Sequence, residues 1–258
     1  MESMVLYEVS ERIAYITLNR PDKRNALNDE MVEALYAAFC RAEEDEQAKV
    51  VVLRARGKAF CAGADLAYLQ QLQKNSYEEN LADSSRLKAL FHKIYTLKKT
   101  VIAQVQGHAI AGGCGLATVC DVTFSVPEAK FGYTEVKIGF IPAIVSLFLL
   151  RKIGEGRAKE LLLSGRLIDA QEALALGLVH RVVEADRLET EVKAYALQLC
   201  TQNSASSMEL TKRMIAEIQE RTLEQGLQYA AQMNAMARET DDCRRGIAAF
   251  LEKKPLEW

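Results

Sequence analysis

The stretch AIAGGCGLATVCD, from Ala109 to Asp121, packs Gly112, Gly113 and Gly115 into four residues and then continues as an apolar helical pattern. Before it, KTVIAQVQGHAIAGG reads as one buried strand ending at the glycines. A glycine-rich start to a helix aims backbone N–H groups at something negative. A second turn of the same design is FCAGADL, Phe60 to Leu66, which follows the β-branched run KVVVLRARG. Small residues at both turns let a ligand approach the backbone closely. N–H groups converging from two such turns on one oxygen would form an oxyanion hole. Each turn alone also reads as an ordinary strand-to-helix corner, since short glycine patterns are weak signals. Neither is a phosphate-binding P-loop, because no Lys-Ser or Lys-Thr follows the glycines. GEGRAKE, at Gly154, lies between helices and is weaker still.

Outward from the turns, strands and helices alternate. RIAYITLNR reads as a strand stopped by Pro21 and Asp22. In LNDEMVEALYAAFCRAEED, Met31, Val32, Leu35, Ala38 and Phe39 share a helical face, with Asn28 as N-cap. Lys88 to Leu97 is helical, VTFSV is a strand, and EAKFGYTEVKIG is a short strand and loop. IPAIVSLFLLRKIGEGRAKELLLSG gives two helices split at Gly154 to Gly156, with AIVSLFLL expected as a buried helix. This rhythm is an α/β layout of repeated turns. After about Val183 the pattern is helical to the end. Met208, Met214, Met233 and Met236 read there as core or interface filler.

The chain has 258 residues, 49% of them hydrophobic and 26% charged, with a formal net charge of −2. That size suits one large domain, or a large and a small one. The charge balance invites neither nucleic acid nor an anionic membrane. The N-terminal segment carries acids early and lacks a long apolar core, so neither a signal nor a transit peptide is expected. The longest apolar block is too short to span a bilayer. A soluble cytoplasmic protein is the expectation. The six cysteines, Cys40, Cys61, Cys114, Cys120, Cys200 and Cys243, form no C-x-x-C pair and read as free thiols; no histidine falls at metal-ligand spacing, so no metal site is expected. His108, near the glycine turn, reads as structural or as a ligand contact.

Taken in order, LNRPDKRNALN, GKAFCAGADL, IAGGCGLATVCD, FGYTEVKIGFIPA, LLLSGRLIDAQEALALGLVHRVV and DDCRRGIAAFLEKK resemble the crotonase, or enoyl-CoA hydratase/isomerase, superfamily. The resemblance covers essentially the whole chain. It implies a spiral core of repeated ββα turns in residues 1–195 and a C-terminal helical unit, 196–258, that builds homo-trimers, commonly paired into hexamers. It also implies a coenzyme A thioester as substrate and no permanently bound cofactor.

Position by position, the resemblance makes the N–H groups of Ala64 and Gly112 the donors to the thioester carbonyl oxygen. Proton transfer at the α-carbon passes through an enolate-like species whose charge sits there. Losing one such donor costs about 3–4 kcal/mol in other enzymes. Many family hydratases carry two glutamates, and the matching positions here are Gly115 and Glu135. Glu135 is therefore the one carboxylate left at a family catalytic position. It can deprotonate water and then protonate the enolate, or move a proton from C2 to C4. Tyr133 and His108 are candidate assistants, although Tyr133 reads more naturally as a packing aromatic. The resemblance implies coenzyme A contacts at Lys23, Arg24, Ala26, Asp65 and Leu66, with Phe250 lining the acyl tunnel and Lys253 meeting a phosphate from a neighbouring subunit. Where common crotonases carry PGAGGT, this chain has PAIVSLF, which implies a bulkier acyl-pocket wall. The run from Phe131 onward resembles bacterial methylglutaconyl-CoA hydratases of leucine degradation. Hydration comes first among the implied activities, double-bond isomerisation second, and acyl-CoA binding without chemistry third.

Overall fold

β-Branched and aromatic runs build two sheets in the computed structural model, which describes residues 3–258. Met1 and Glu2, the start of the expected 1–195 unit, lie outside the described residues. The chain opens with β1 (Val5–Ser10), β2 (Ile13–Leu18) and α1 (Asp29–Glu44). β3 (Val50–Ala55), β4 (Ala59–Cys61), α2 (Leu66–Leu72) and α3 (Tyr77–Thr96) form the next turn. β5 (Thr100–Val105), β6 (His108–Ile110) and α4 (Gly112–Val119) repeat it. β7 (Val122–Ser125), β8 (Lys130–Gly132), a 3-10 turn at Glu135–Ile138 and α5 (Ala143–Ile153) repeat it again. α6 (Glu155–Ser164), β9 (Ile168–Asp169), α7 (Ala170–Leu176) and β10 (Arg181–Val182) close the sheets. α8 (Leu188–Gln202), α9 (Ala205–Ile218), α10 (Leu223–Glu239) and α11 (Asp241–Leu251) complete the chain.

One sheet has the order β1-β2-β3-β5-β7-β10 and is parallel from β2 onward; the other is β4-β6-β8-β9, antiparallel only at β9. The first turn puts both β1 and β2 in the first sheet, and the turns that follow each give one strand to each sheet, which is the expected ββα spiral. Between the sheets the chain must bend sharply, and this splits the single strand expected from KTVIAQVQGHAIAGG into β5 and β6. At the bend, a Cβ on Gly107 would lie 2.1 Å from the Lys58 carbonyl oxygen, so only glycine fits. Gln106 Nε2 donates to Gly57 O and Ala59 O, both at 3.0 Å, and locks this corner to the preceding one.

Asn28 caps α1 as expected, accepting from Met31 N–H at 3.0 Å. AIVSLFLL forms α5, but the helix buries only one face: Val145 and Leu149 are inside while Leu147 and Leu150 face solvent. A continuous apolar run cannot show which face a neighbour covers. The expected boundary at 195/196 falls inside α8, whose buried face of Leu188, Val192, Ala196 and Cys200 lies on the first sheet. The chain leaves that sheet near Asn203, and α9, α10 and α11 pack mainly on one another. All six cysteines are free, with Cys40 and Cys243 half-buried and the others buried. Among the described residues, no helix is long and apolar enough to cross a membrane.

Candidate functional site

The two glycine turns meet backbone to backbone. A Cβ on Gly113 would lie 2.2 Å from the Cys61 carbonyl oxygen, and one on Gly63 would lie 2.9 Å from Ala111 Cβ. Leu27 clasps the first turn through a parallel bridge to Ala64: its N–H donates to Gly63 O at 2.7 Å, and its carbonyl accepts from Asp65 N–H at 2.8 Å. With both flanking residues turned toward Leu27, the N–H of Ala64 points off the other edge. Gly112 opens α4, where the first intrahelical donor is Gly115 N–H to Ala111 O at 3.0 Å. The Gly112 N–H therefore has no helical acceptor and sits at the positive end of the helix. A Cβ on Gly112 would touch Leu27 Cδ1 at 3.1 Å, so Leu27 lies against both turns. Ala111 is held at φ 51 and ψ −125, a conformation costly for a residue with a side chain. Its N–H donates to Gly132 O at 2.7 Å, which ties this turn to the strand before Glu135.

Glu135 begins the 3-10 turn after β8, and its Oε2 is buried without a hydrogen-bond partner. Burial pushes the carboxyl above the usual carboxylate range, opposed only by a hydrogen bond from its own backbone. Cys114 of α4 and Tyr133 both lie close enough to feel its charge. A half-buried carboxylate with raised proton affinity can both take and return a proton.

Gly115 is enclosed by hydrocarbon. A Cβ there would lie 2.3 Å from Val145 Cγ1, 2.9 Å from Phe91 Cε1 and 3.0 Å from Val145 Cβ. Val145 comes from the PAIVSLF segment, and Phe148 of the same segment packs on Phe91 and Tyr95, with ring centroids 5.8 and 5.3 Å apart. The bulk in that segment thus occupies the space next to the residue that lacks a side chain.

The other expected residues divide. Lys23 and Arg24 are exposed on the loop that Arg24 O ties to Ala62 N–H at 3.0 Å, beside the first turn. Ala26 is buried and its N–H already donates to Lys23 O, so of its backbone groups only the carbonyl remains, with a 3.4 Å contact from Arg20. Asp65 caps α2 and pairs with Arg20 at 2.7 Å. Burial raises the Asp65 carboxyl, but hydrogen bonds from Ala67 N–H and Arg20 outweigh it and hold the group below the usual range. The Asp65 carboxylate is thus spent on the turn. Leu66 is 79% exposed at the start of α2. Phe250, 82% exposed, lies in the last turn of α11, which packs on α9 and α10, and Lys253 lies just past its end. His108 is exposed on β6 and accepts from Lys130 N–H at 3.1 Å, a strand contact. Tyr133 is fully buried, and burial raises its phenol well above the normal value.

Sequence reasoning missed Leu27 and Asn25. Asn25, with φ 55, donates through Nδ2 to Arg56 O and Ala59 O, both at 2.9 Å, and so pins the basic loop to the corner before β4. An asparagine after a Pro-Asp turn was the available signal. A separate cavity of 780 Å³ lies among α3, α4, α5, α8 and α9, lined by Tyr95, Phe148, Lys152, Met208 and Lys212 among others; it holds none of Ala64, Gly112 and Glu135.

Residues 8–258 match the family model described as enoyl-CoA hydratase/isomerase. A Thermus thermophilus relative with the provisional name enoyl-CoA hydratase is 46% identical over 94% of this chain and 96% of its own. The crotonyl-CoA hydratase of Syntrophomonas wolfei is 32% identical over 97% of this chain and 95% of its own. Among solved structures, an enoyl-CoA hydratase of Mycobacterium smegmatis superposes with a TM-score of 0.93 at 33% identity, covering 100% of this chain and 99% of its own.

Proposed function

The chain belongs to the enoyl-CoA hydratase/isomerase family, and we propose that it adds water across, or removes it from, the 2,3 double bond of an enoyl-CoA thioester with Glu135 as its one catalytic carboxylate. The observation that carries this reading is the buried, unpartnered Oε2 of Glu135, at the start of the 3-10 turn after β8, whose Gly132 carbonyl accepts from Ala111 N–H of the second glycine turn. In the hydration direction, Glu135 takes a proton from water as its oxygen bonds to C3. The electron pair of the double bond moves onto the thioester carbonyl. The Ala64 and Gly112 N–H groups hold the resulting enolate oxygen, and the proton on Glu135 passes to C2. The helix terminus at Gly112 strengthens that hold.

The hydrocarbon wall at Gly115 favours a second reading, isomerisation, in which Glu135 alone carries a proton from C2 to C4. Incubating the purified protein with crotonyl-CoA and methylglutaconyl-CoA tests both. Formation of a 3-hydroxyacyl product supports hydration, and turnover of methylglutaconyl-CoA over crotonyl-CoA supports the leucine-degradation substrate. Deuterium exchange at C2 without water addition moves the protein to the isomerase reading. Neither product nor exchange, with thioester still bound, leaves an acyl-CoA-binding protein. Six free cysteines suit a reducing, cytoplasmic setting.

For the coenzyme A end, the proposal places Lys23 and Arg24 at the phosphates, joined by Lys253 from a neighbouring subunit. Neutralising all three should lower coenzyme A affinity by at least tenfold; unchanged affinity removes the assignment. The helical unit is proposed as the assembly surface, because Leu223, Leu227, Ile247, Phe250 and Leu251 expose a large apolar area. Sedimentation at micromolar concentration should show trimers or hexamers, and a lone monomer contradicts it.

A further inference from the structure

We infer that Tyr133 is a positioning residue for the proton-transfer step: through its hydrogen bond to Thr118 it fixes the segment bearing Glu135 against α4, the helix that opens with Gly112. The inference rests on Glu135 being the base.

The phenol of Tyr133 is sealed from solvent and lies 2.6 Å from Thr118 Oγ1. Thr118 Oγ1 also lies 2.8 Å from Cys114 O, a carbonyl that can only accept. A hydroxyl has one proton to give, so Thr118 donates to Cys114 O, and Tyr133 must be the donor to Thr118. The bond therefore has one direction, from Tyr133 through Thr118 to the first turn of α4. Inside the protein a buried polar pair of this kind rigidifies its surroundings when every member has a partner.

The placement gives the bond its consequence. Between β8 and Glu135 there are only two residues, Tyr133 and Thr134. The backbone contact from Ala111 N–H to Gly132 O fixes one end of this segment. Within the turn itself, Lys137 N–H to Thr134 O and Phe140 N–H to Glu135 O are local bonds that tie it only to itself. The Tyr133 bond ties the segment to the helix whose N-terminus faces the carbonyl. It therefore sets the spacing between the base and its electrophilic partner. A displacement of about 1 Å between reacting groups can cost on the order of 10²-fold in rate. Cys114 on α4 and Tyr133 itself feel the charge of Glu135, and burial raises both so that neither is ionised near neutrality.

Tyr133→Phe keeps the ring and removes only the donor, leaving Thr118 still bonded to Cys114 O. The expected result is a fall in kcat of about 10- to 100-fold with KM nearly unchanged and the melting temperature close to wild type. The acid limb of the pH–rate profile should move to lower pH, because a loosened segment admits water to Glu135 and relieves the burial that raises it. Thr118→Val should reproduce the kinetic change, and Thr118→Ser, which keeps the hydroxyl, should restore it. Glu135→Gln, run alongside, separates this inference from the reading beneath it. If Glu135→Gln is inactive while Tyr133→Phe keeps wild-type kcat and an unmoved acid limb, the positioning role is overturned and the base remains. If Glu135→Gln itself keeps turnover, the base assignment fails, and the inference with it. A Tyr133→Phe loss confined to melting temperature, without a kinetic change, also overturns it.

Discussion

Replacing Glu135 with glutamine lowers turnover by about 10²–10⁴-fold, the usual contribution of a general acid–base group. The amide matches the carboxylate in shape and cannot take a proton. Affinity for an unreactive thioester analogue stays close to wild type, because on the proposed reading the carbonyl is held by Ala64 and Gly112. Stability moves the other way. The folded protein raises the Glu135 carboxyl above its unfolded value through burial. The protonated form therefore stabilises the fold fully below the ordinary carboxylate range, and that stabilisation is lost as pH rises through the folded pKa. At neutral pH the wild type carries a half-buried charge, bonded only by its own backbone and with Oε2 unpartnered, that the variant lacks. Glu135→Gln should melt higher than wild type near pH 8, with the difference shrinking as the pH falls below the carboxylate range. Steady-state rates, analogue titration and melting curves at the two ends of that range check all three parts. A variant with wild-type turnover would falsify the assignment of Glu135.

Placing a glutamate at position 115 should cripple the fold before it alters the chemistry. The added Cβ falls 2.3 Å from Val145 Cγ1 and 3.0 Å from Val145 Cβ, an atom fixed directly to the α5 backbone. Rotating the valine relieves the first contact and leaves the second. The rest of the new side chain must then pass Phe91 and put a carboxylate among hydrocarbon. Overpacking of this kind costs roughly 1–3 kcal/mol, and a buried unpaired charge adds about 3 kcal/mol more. The sum, on the order of 5 kcal/mol, is a large share of the roughly 5–15 kcal/mol that holds a domain together. Melting should fall by roughly 10 °C or more, with much of the protein insoluble. Adding Val145→Ala removes the closest contact and should recover folded protein. Only in that double variant does a second carboxylate have room to act, and its crotonyl-CoA hydration can be compared with wild type. A Gly115→Glu protein with unchanged melting temperature would show that α5 yields easily and would sink the idea that Val145 occupies this space by necessity.

Gly115 also shows where sequence reasoning stopped. Its place in the motif, three residues after Gly112, marked it as a missing carboxylate, and PAIVSLF marked a bulky wall some thirty residues later. Nothing in the order of residues says that the two are the same space. That Val145 reaches Gly115 depends on how α5 lies across α4, a packing between elements distant along the chain. The strand expected from Lys99 to Gly113 failed for a related reason. Its β-prone residues continue on both sides of Gln106 and Gly107, and the break there exists because the chain must leave one sheet and enter another. Only the approach of Lys58 O makes Gly107 indispensable there. Asp65 likewise reads as a polar residue beside a turn, and its engagement by Arg20 and two helical N–H groups appears only in the folded chain.

By itself the sequence determined the α/β rhythm, the two glycine turns, the cap at Asn28 and the separate motifs, among them the FGYTE segment that carries Glu135. These are legible because each is local: periodicity, turn chemistry and motif spacing act within about twenty residues. Tertiary structure alone decided that the two turns touch through Gly63, Gly113 and Leu27, that Glu135 Oε2 is buried with no partner, and that Tyr133 is tied to Thr118. Those facts depend on which strands neighbour each other in the spiral. Burial and hydrogen bonding belong to contacts between segments, and no single stretch of chain carries them.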